Sequence, residues 1–170
     1  MPELSRRWSA MGIAIVLAVA LAACGSSSAP PASPSSLPGT TFTGDGYTVL
    51  IPDSLGVTYS RDAGADTWEN TSKNPMVGFS ILIVGNLLPP ELSLEGALGR
   101  AKKGLADAGT TVSSATPVAL PGGPAYRVTT DTSGVVAYAF YHAGTAALVM
   151  MVNVPADAEQ AVAASFRMGG

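Results

Sequence analysis

Residues 135–154 read VVAYAFYHAGTAALVMMVNV. Two runs of aliphatic, aromatic and β-branched residues, Val135–His142 and Ala146–Val154, flank Ala143-Gly144-Thr145, a connection short enough for a hairpin. Upstream, Val118–Leu120 and Ala125–Thr130 flank Pro121-Gly122-Gly123-Pro124, and Asp131-Thr132-Ser133-Gly134 leads into the quoted stretch. Four short strands joined by turn-forming connections of three or four residues predict an antiparallel meander.

The same reading extends in both directions. Gly44-Asp45-Gly46 opens Tyr47–Pro52, whose period of two places Tyr47, Val49 and Ile51 on one face. Val57–Tyr59 and Thr67–Glu69 are weaker strands separated by Asp62-Ala63-Gly64, and Met76–Val84 is an almost continuous apolar run, expected as a central strand covered on both faces. Between the strands, Ser93 is a good N-cap for a helix reaching Ala108. Leu94, Ala97, Leu98, Ala101, Leu105 and Ala108 form one apolar stripe along it, with Gly109 as the stop. Gly96, Gly99 and Gly104 lower its intrinsic propensity, so it should depend on packing against a sheet. A last helix is expected from about Asp157, which has capping-box spacing to Gln160, to about Ser165. Strands outnumber helices and most neighbours are hairpin-linked, so the class is α+β, an antiparallel sheet with helices packed on it.

The chain has 170 residues, 47% apolar and 12% charged, with one cysteine and one histidine. These numbers exclude a disordered charged tail, a disulfide-stapled miniprotein, a Cys/His zinc module and a strongly basic nucleic-acid binder. Residues 40–170 keep 60 apolar residues among 131, enough for a core of their own. Without Glu3, Arg6 and Arg7 the remainder carries 7 basic and 11 acidic residues, which makes nucleic acid an unsuitable partner.

The N-terminus reads as an address. Arg6 and Arg7 precede a 13-residue apolar run, Met11–Ala23, too short to span a bilayer but suited to a secretory signal peptide over residues 1–23. The run ends in Leu21-Ala22-Ala23-Cys24 followed by Gly25, which resembles the bacterial lipobox. That resemblance implies cleavage between Ala23 and Cys24, and diacylglycerol and acyl chains on Cys24. Two or more chains give stable anchoring, whereas one is marginal. Gly25–Gly39, GSSSAPPASPSSLPG, cannot bury enough apolar surface to offset its ordering entropy and reads, with Cys24, as a disordered tether. Fully extended it reaches about 45 Å. A single folded domain, residues 40–170, follows. No cofactor is expected beyond the covalent lipid.

The GYTVLIP strand after Phe42, a helix after a leucine-proline turn, PGGPAYRVTT at 121–130, ALVMMVNVPAD at 147–157 and AEQAVAASFRM at 158–168 resemble the actinobacterial LpqN/LpqT-type lipoproteins of the PsbP-like superfamily. The resemblance covers roughly Thr40–Met168, and its most specific pieces are Gly123-Pro124-Ala125-Tyr126-Arg127 and Ser165-Phe166-Arg167. It implies a curved antiparallel sheet packed between helices and used as a binding or assembly module, with no catalytic residues to transfer. It also implies a part in cell-envelope processes such as lipid transport or biogenesis. The superfamily docks onto partners as different as a photosystem and a GTPase, so fold does not fix function.

Candidate chemistry is sparse. His142 ends a strand beside a turn without a Ser-His-Asp order or a nucleophile elbow, which makes a hydrolase the weakest of three readings. Asp62, Asp66 and Glu69 lack the spacing of a calcium loop and read as solvated turn charges balanced by Arg61 and Lys73. Gly122-Gly123 lacks a phosphate-loop context. Tyr59, Trp68, Tyr126, Tyr138 and Tyr141 carry apolar bodies with polar tips, a type used at binding surfaces. Trp68 is the first choice for a partner or ligand contact, because Asp66, Glu69 and Asn70 around it suggest a solvent-facing edge; Tyr59, Tyr141 and His142 follow. The expected function is a non-catalytic interaction or assembly module, lipid-anchored on the extracytoplasmic side of the cell membrane and binding an envelope protein. The alternative is a carrier of a lipid or small apolar ligand, with a pocket between sheet and helices.

Overall fold

A computed structural model describes residues 37–62, 64–85 and 92–169 of the chain. The expected signal peptide, the expected cleavage position at Ala23 and Cys24 and most of the expected tether lie outside the described residues. In chain order the elements are β1 (Gly39–Gly44), β2 (Tyr47–Pro52), a 3-10 turn at Asp53–Leu55, β3 (Thr58–Asp62), β4 (Ala65–Asn70), β5 (Val77–Val84), α1 (Leu94–Asp107), β6 (Val112–Leu120), β7 (Gly123–Thr130), β8 (Val135–His142), β9 (Thr145–Val152), α2 (Ala156–Ser165) and β10 (Arg167–Met168). The class is α+β. Ordered packing reaches slightly ahead of Thr40: Leu37 lies against the core, and the Pro38 carbonyl accepts from Asp53 N at 3.0 Å.

The hairpin at 135–154 forms in register, with Val136 opposite Met151, Tyr138 opposite Val149 and Phe140 opposite Ala147. Its connection is tighter than the three residues expected. His142 pairs with Thr145, leaving Ala143 and Gly144 as a two-residue turn with φ of 45° and 84°. Positive φ at both positions matches the twist of the flanking strands. Around this hairpin grows a seven-stranded antiparallel sheet, in the order β3-β4-β5-β9-β8-β7-β6. A separate three-stranded sheet, β1-β2-β10, was not legible as such, since β10 is two residues long and β1 is threonine-rich.

Strand periodicity assigns the large sheet two faces. Trp68, Phe79, Ile81, Val149, Met151, Tyr138 and Phe140 share one of them with Ala125, and there they meet Tyr47 and Val49 of the small sheet and Ala158, Val162 and Phe166 at the other end of the chain. On the opposite face α1 packs chiefly on β8 and reaches β7, β9 and β6, bringing Leu105 against Val128 and Ala137, and Ala97 against Ala146.

Two expectations change. β5 is covered fully on one face only: Phe79 and Ile81 are 2% and 1% exposed, but Leu82, on the α1 side, is 37% exposed. The reason is lateral, since α1 lies over the β6–β9 part of the sheet. The capping box of α2 does not form either. Pro155 (φ −56°) stands at the N-cap without a side-chain bond, and Asp157 sits inside the first turn, its Oδ1 accepting from Ala158 N at 2.9 Å. Proline pre-sets the φ that starts a helix, and the Asp157 carboxylate still suits the positive end of the dipole. Ser93 does cap α1, accepting from Gly96 N at 3.0 Å.

Candidate functional site

Trp68 is 3% exposed and cannot be a surface contact. β3, not β4, is the sheet edge, and the register Tyr59–Trp68–Phe79 places all three rings on the covered face. Trp68 stacks on Phe79 at 4.8 Å and 16°, meets Phe42 of β1 edge-on at 4.9 Å and 82°, and lies 5.4 Å from Tyr59. The polar neighbours that suggested a solvent-facing edge divide by strand alternation: Glu69 points to the α1 side, whereas Asp66 shares the covered face with Trp68.

Asp66 is likewise not a solvated turn charge. It is 3% exposed, and its two oxygens accept from Tyr47 at 2.6 Å and Tyr59 at 2.7 Å, with Arg61 Nε 3.7 Å from Oδ1. Burial first, then the bond to the carboxylate, keeps the Tyr47 hydroxyl protonated far above the usual tyrosine range. For Tyr59 the bond to Asp66 is the main cause of an upward shift. Tyr59 is 45% exposed, so it closes the cluster from the solvent side. A cavity of about 350 Å³ borders the cluster, walled by Gly46, Arg61, Gly64, Ile81 and Ile83.

A second, part-buried polar set fastens α2 to the sheet. Glu159 accepts from Arg127 Nε at 2.8 Å and Nη2 at 3.3 Å, and from the Tyr138 hydroxyl at 2.8 Å. The Tyr138 pKa is pushed up to about 12, by burial first and the Glu159 bond second. Just beyond α2, Arg167 Nη1 donates to the carbonyls of Ala164 and Phe166 at 2.7 and 2.8 Å, while Ser165 Oγ accepts from Leu50 N at 2.9 Å and so joins α2 to β2. The most specific pieces of the sequence resemblance, Arg127 and Ser165-Phe166-Arg167, therefore act as structural fastenings.

Tyr141 is half-buried on the α1 face beside Ala97 and Ala146, and His142 is exposed at the end of β8, on the other face. β8 stands four positions from β3 in the sheet order. At about 4.8 Å per strand the two are separated by roughly 19 Å, so Tyr59, Tyr141 and His142 do not converge on one site. Among the described residues no three His, Cys, Asp or Glu side chains gather as a metal-binding group.

What the α1 face offers instead is an apolar furrow that the sequence reading did not identify. Beside α1 lies a cavity of about 260 Å³, floored by Leu82, Val84, Ala146 and Leu148 and walled by Ala97 and Ala101 with Arg100 and Lys103 at the rim. Further along the same two strands a hollow of about 220 Å³ is lined by Thr67, Glu69, Met76, Ser80 and Met150. The pairs Val84–Ala146, Leu82–Leu148 and Ser80–Met150 follow one another on one face, which makes the two hollows parts of one furrow along β5 and β9. No local sequence signal marks it, because the apolar run 76–84 reads equally well as a strand covered on both faces.

No family profile and no curated relative matches the sequence. Among solved structures, the chain is similar to the solution structure of cyanobacterial PsbP (CyanoP) from Synechocystis sp. PCC 6803, with a TM-score of 0.52 and 18% identity over 82% of this chain and 96% of that one. The fold of residues 37–169 is PsbP-like.

Proposed function

We propose that this chain is a lipid-anchored cell-envelope lipoprotein of the LpqN/LpqT type, held through Cys24 on the extracytoplasmic side of the cell membrane. It works there as a non-catalytic docking or assembly module. The observation that carries the reading is how polar and apolar groups are distributed. The carboxylates of Asp66 and Glu159 are committed to tyrosine and arginine partners, whereas Leu82, on the sheet face beside α1, is 37% exposed. Groups held that way position secondary structure, and an apolar furrow with a charged rim binds other molecules. The lipobox at Leu21–Cys24 and the tether behind it supply the location.

The experiment has two arms. Cys24→Ser should abolish palmitate labelling and membrane retention, and a variant that keeps its label overturns the anchor. A photo-cross-linker at Leu82 should give envelope-protein adducts in intact cells that the same group at exposed Thr43, on the small sheet, does not; equal adducts from both positions overturn docking through the α1 face.

One observation favours a second reading, a carrier of a lipid or small apolar ligand: the 260 Å³ cavity between α1 and the sheet has mostly apolar walls. Solvent-extractable lipid co-purifying with the mature chain, and lost on filling the cavity by Ala101→Phe, supports that reading over the first.

A further inference from the structure

The two edges of the seven-stranded sheet are finished differently. At one, β6 carries Pro117, which has no backbone donor, and its pairing with β7 is interrupted by a register shift between Val112 and Ser114. Both features spoil an edge as a template for another strand. At the other edge β3, Thr58-Tyr59-Ser60-Arg61-Asp62, has neither. Its register with β4 is continuous, all five residues are exposed, and its outer side meets no further strand of the sheet. β1, at the edge of the small sheet, also lacks proline, but it holds no charge that could fix a register with another strand.

The side chains of β3 suit a copy of β3. Alternation places Tyr59 and Arg61 on the aromatic face, opposite Trp68 and Asp66 of β4, and Thr58, Ser60 and Asp62 on the α1 side. Two copies pair antiparallel, each side chain keeping its face, when a two-fold axis passes through one residue. With the axis at Ser60 all five residues pair: Ser60 faces Ser60, and Tyr59 faces Arg61 and Thr58 faces Asp62 twice over. No like charges oppose each other. An axis at Arg61 would set two guanidinium groups face to face, and an axis at Tyr59 would carry Arg61 and Asp62 beyond the end of the opposing strand. In the Ser60 register a guanidinium that is 53% exposed meets a tyrosine that is 45% exposed, a cation–π pair, and a threonine hydroxyl can donate to the Asp62 carboxylate.

We propose that β3 is a self-association edge, at which two copies of this chain join β3 to β3 antiparallel about Ser60 and their seven-stranded sheets run on as one. The interface is isologous, so every favourable pair occurs twice. An edge of five residues is small against the roughly 1,200–2,000 Å² of a stable interface, which makes the dimer weak and reversible. This edge is separate from the furrow beside α1 and independent of the docking reading.

The test uses the full chain in detergent with Cys24→Ser, which removes its only thiol. Directly opposed Cα atoms of an antiparallel pair lie about 4.5–5.5 Å apart, within reach of a disulfide. Ser60→Cys should therefore give a disulfide-linked dimer on mild oxidation. Thr58→Cys, displaced from its own copy by four residues or about 13 Å, should not, and neither should Thr41→Cys on β1. Sedimentation of the chain without a new cysteine should show a monomer–dimer equilibrium. Ser60→Lys and Ser60→Asp each set like charges against each other at the axis and should weaken it by about tenfold, while an equal mixture of the two variants should associate again. Ser60 is exposed, so the melting curves of the dilute variants should stay in place. A monomer at every concentration, equal disulfide yields from Ser60→Cys and Thr58→Cys, or no recovery on mixing overturns the proposal. So does a dimer that forms its disulfide through Thr41→Cys instead, which assigns self-association to the small sheet. A dimer that Ser60→Lys leaves intact and Leu82→Asp dissolves also overturns it, by moving the contact to the α1 face.

Discussion

The two faces of the seven-stranded sheet are made from the same strands and follow opposite rules. On one, large rings interlock: Trp68 on Phe79, Phe42 against Trp68, and Phe140 at 4.6 Å from Phe166, and the carboxylates of Asp66 and Glu159 are bonded to tyrosine hydroxyls. On the other, small side chains let a glycine-weakened helix approach closely, Ala97 to Ala146 and Leu105 to Ala137, and the cover stops partway across. The first face is sealed by volume and by hydrogen bonds that would be costly to leave unmade. Among the described residues, the second is covered only where α1 reaches. The lesson is that the sheet's stability is concentrated on the first side and, under the docking reading proposed above, its binding lies on the second, so substitutions should separate them.

The largest expected effect is on the aromatic side. Trp68→Ala removes a ring packed against three others and should cost about 3–5 kcal/mol in a urea melt. A loss under about 1 kcal/mol would return Trp68 to the surface and erase the contrast between the faces. Next comes Asp66→Ala, which leaves the buried Tyr47 hydroxyl without its acceptor while Tyr59 can turn to water. It should cost about 2–3 kcal/mol, and adding Tyr47→Phe should recover part of that loss. A smaller effect concerns alkaline pH. Because the folded state holds the Tyr138 proton up to about 12, against about 10 in the unfolded chain, the stabilisation is whole below pH 10. It should fall by about 2 kcal/mol as pH rises toward 12. Tyr138→Phe should make that decline shallower, with Tyr47 and Tyr59 supplying what remains, and an equally steep decline in the variant would remove Tyr138 from the fastening of α2. The smallest effect sharpens the comparison from the other side: Leu82→Asp should change stability by no more than about 0.5 kcal/mol. A much larger loss there would show that the α1 face is as closed as the aromatic one.

Particular residues show how far the sequence could be read. Ser93, the apolar stripe behind it and the end of the helix near Gly109 were legible because capping and periodicity are local. The meander was legible because its turns carry their own signals. Trp68 was misjudged because polar neighbours in sequence alternate between faces in a strand, and which face is covered depends on β1, more than 20 residues earlier. Asp66 was misjudged for the same reason: its acceptors are satisfied by Tyr47 and Tyr59, the first of them 19 residues away and in another sheet. The furrow left no local mark, since it is defined by where a helix ends its reach.

The sequence by itself determined the α+β class and the position of most strands and both helices, because each depends on spacing within a few neighbouring residues. Only the tertiary structure decided which carboxylates are buried, which aromatic rings face inward and where the sheet lies uncovered. Those outcomes are set by packing between segments far apart in the chain, and a period of two along a strand names two faces without saying what will cover either.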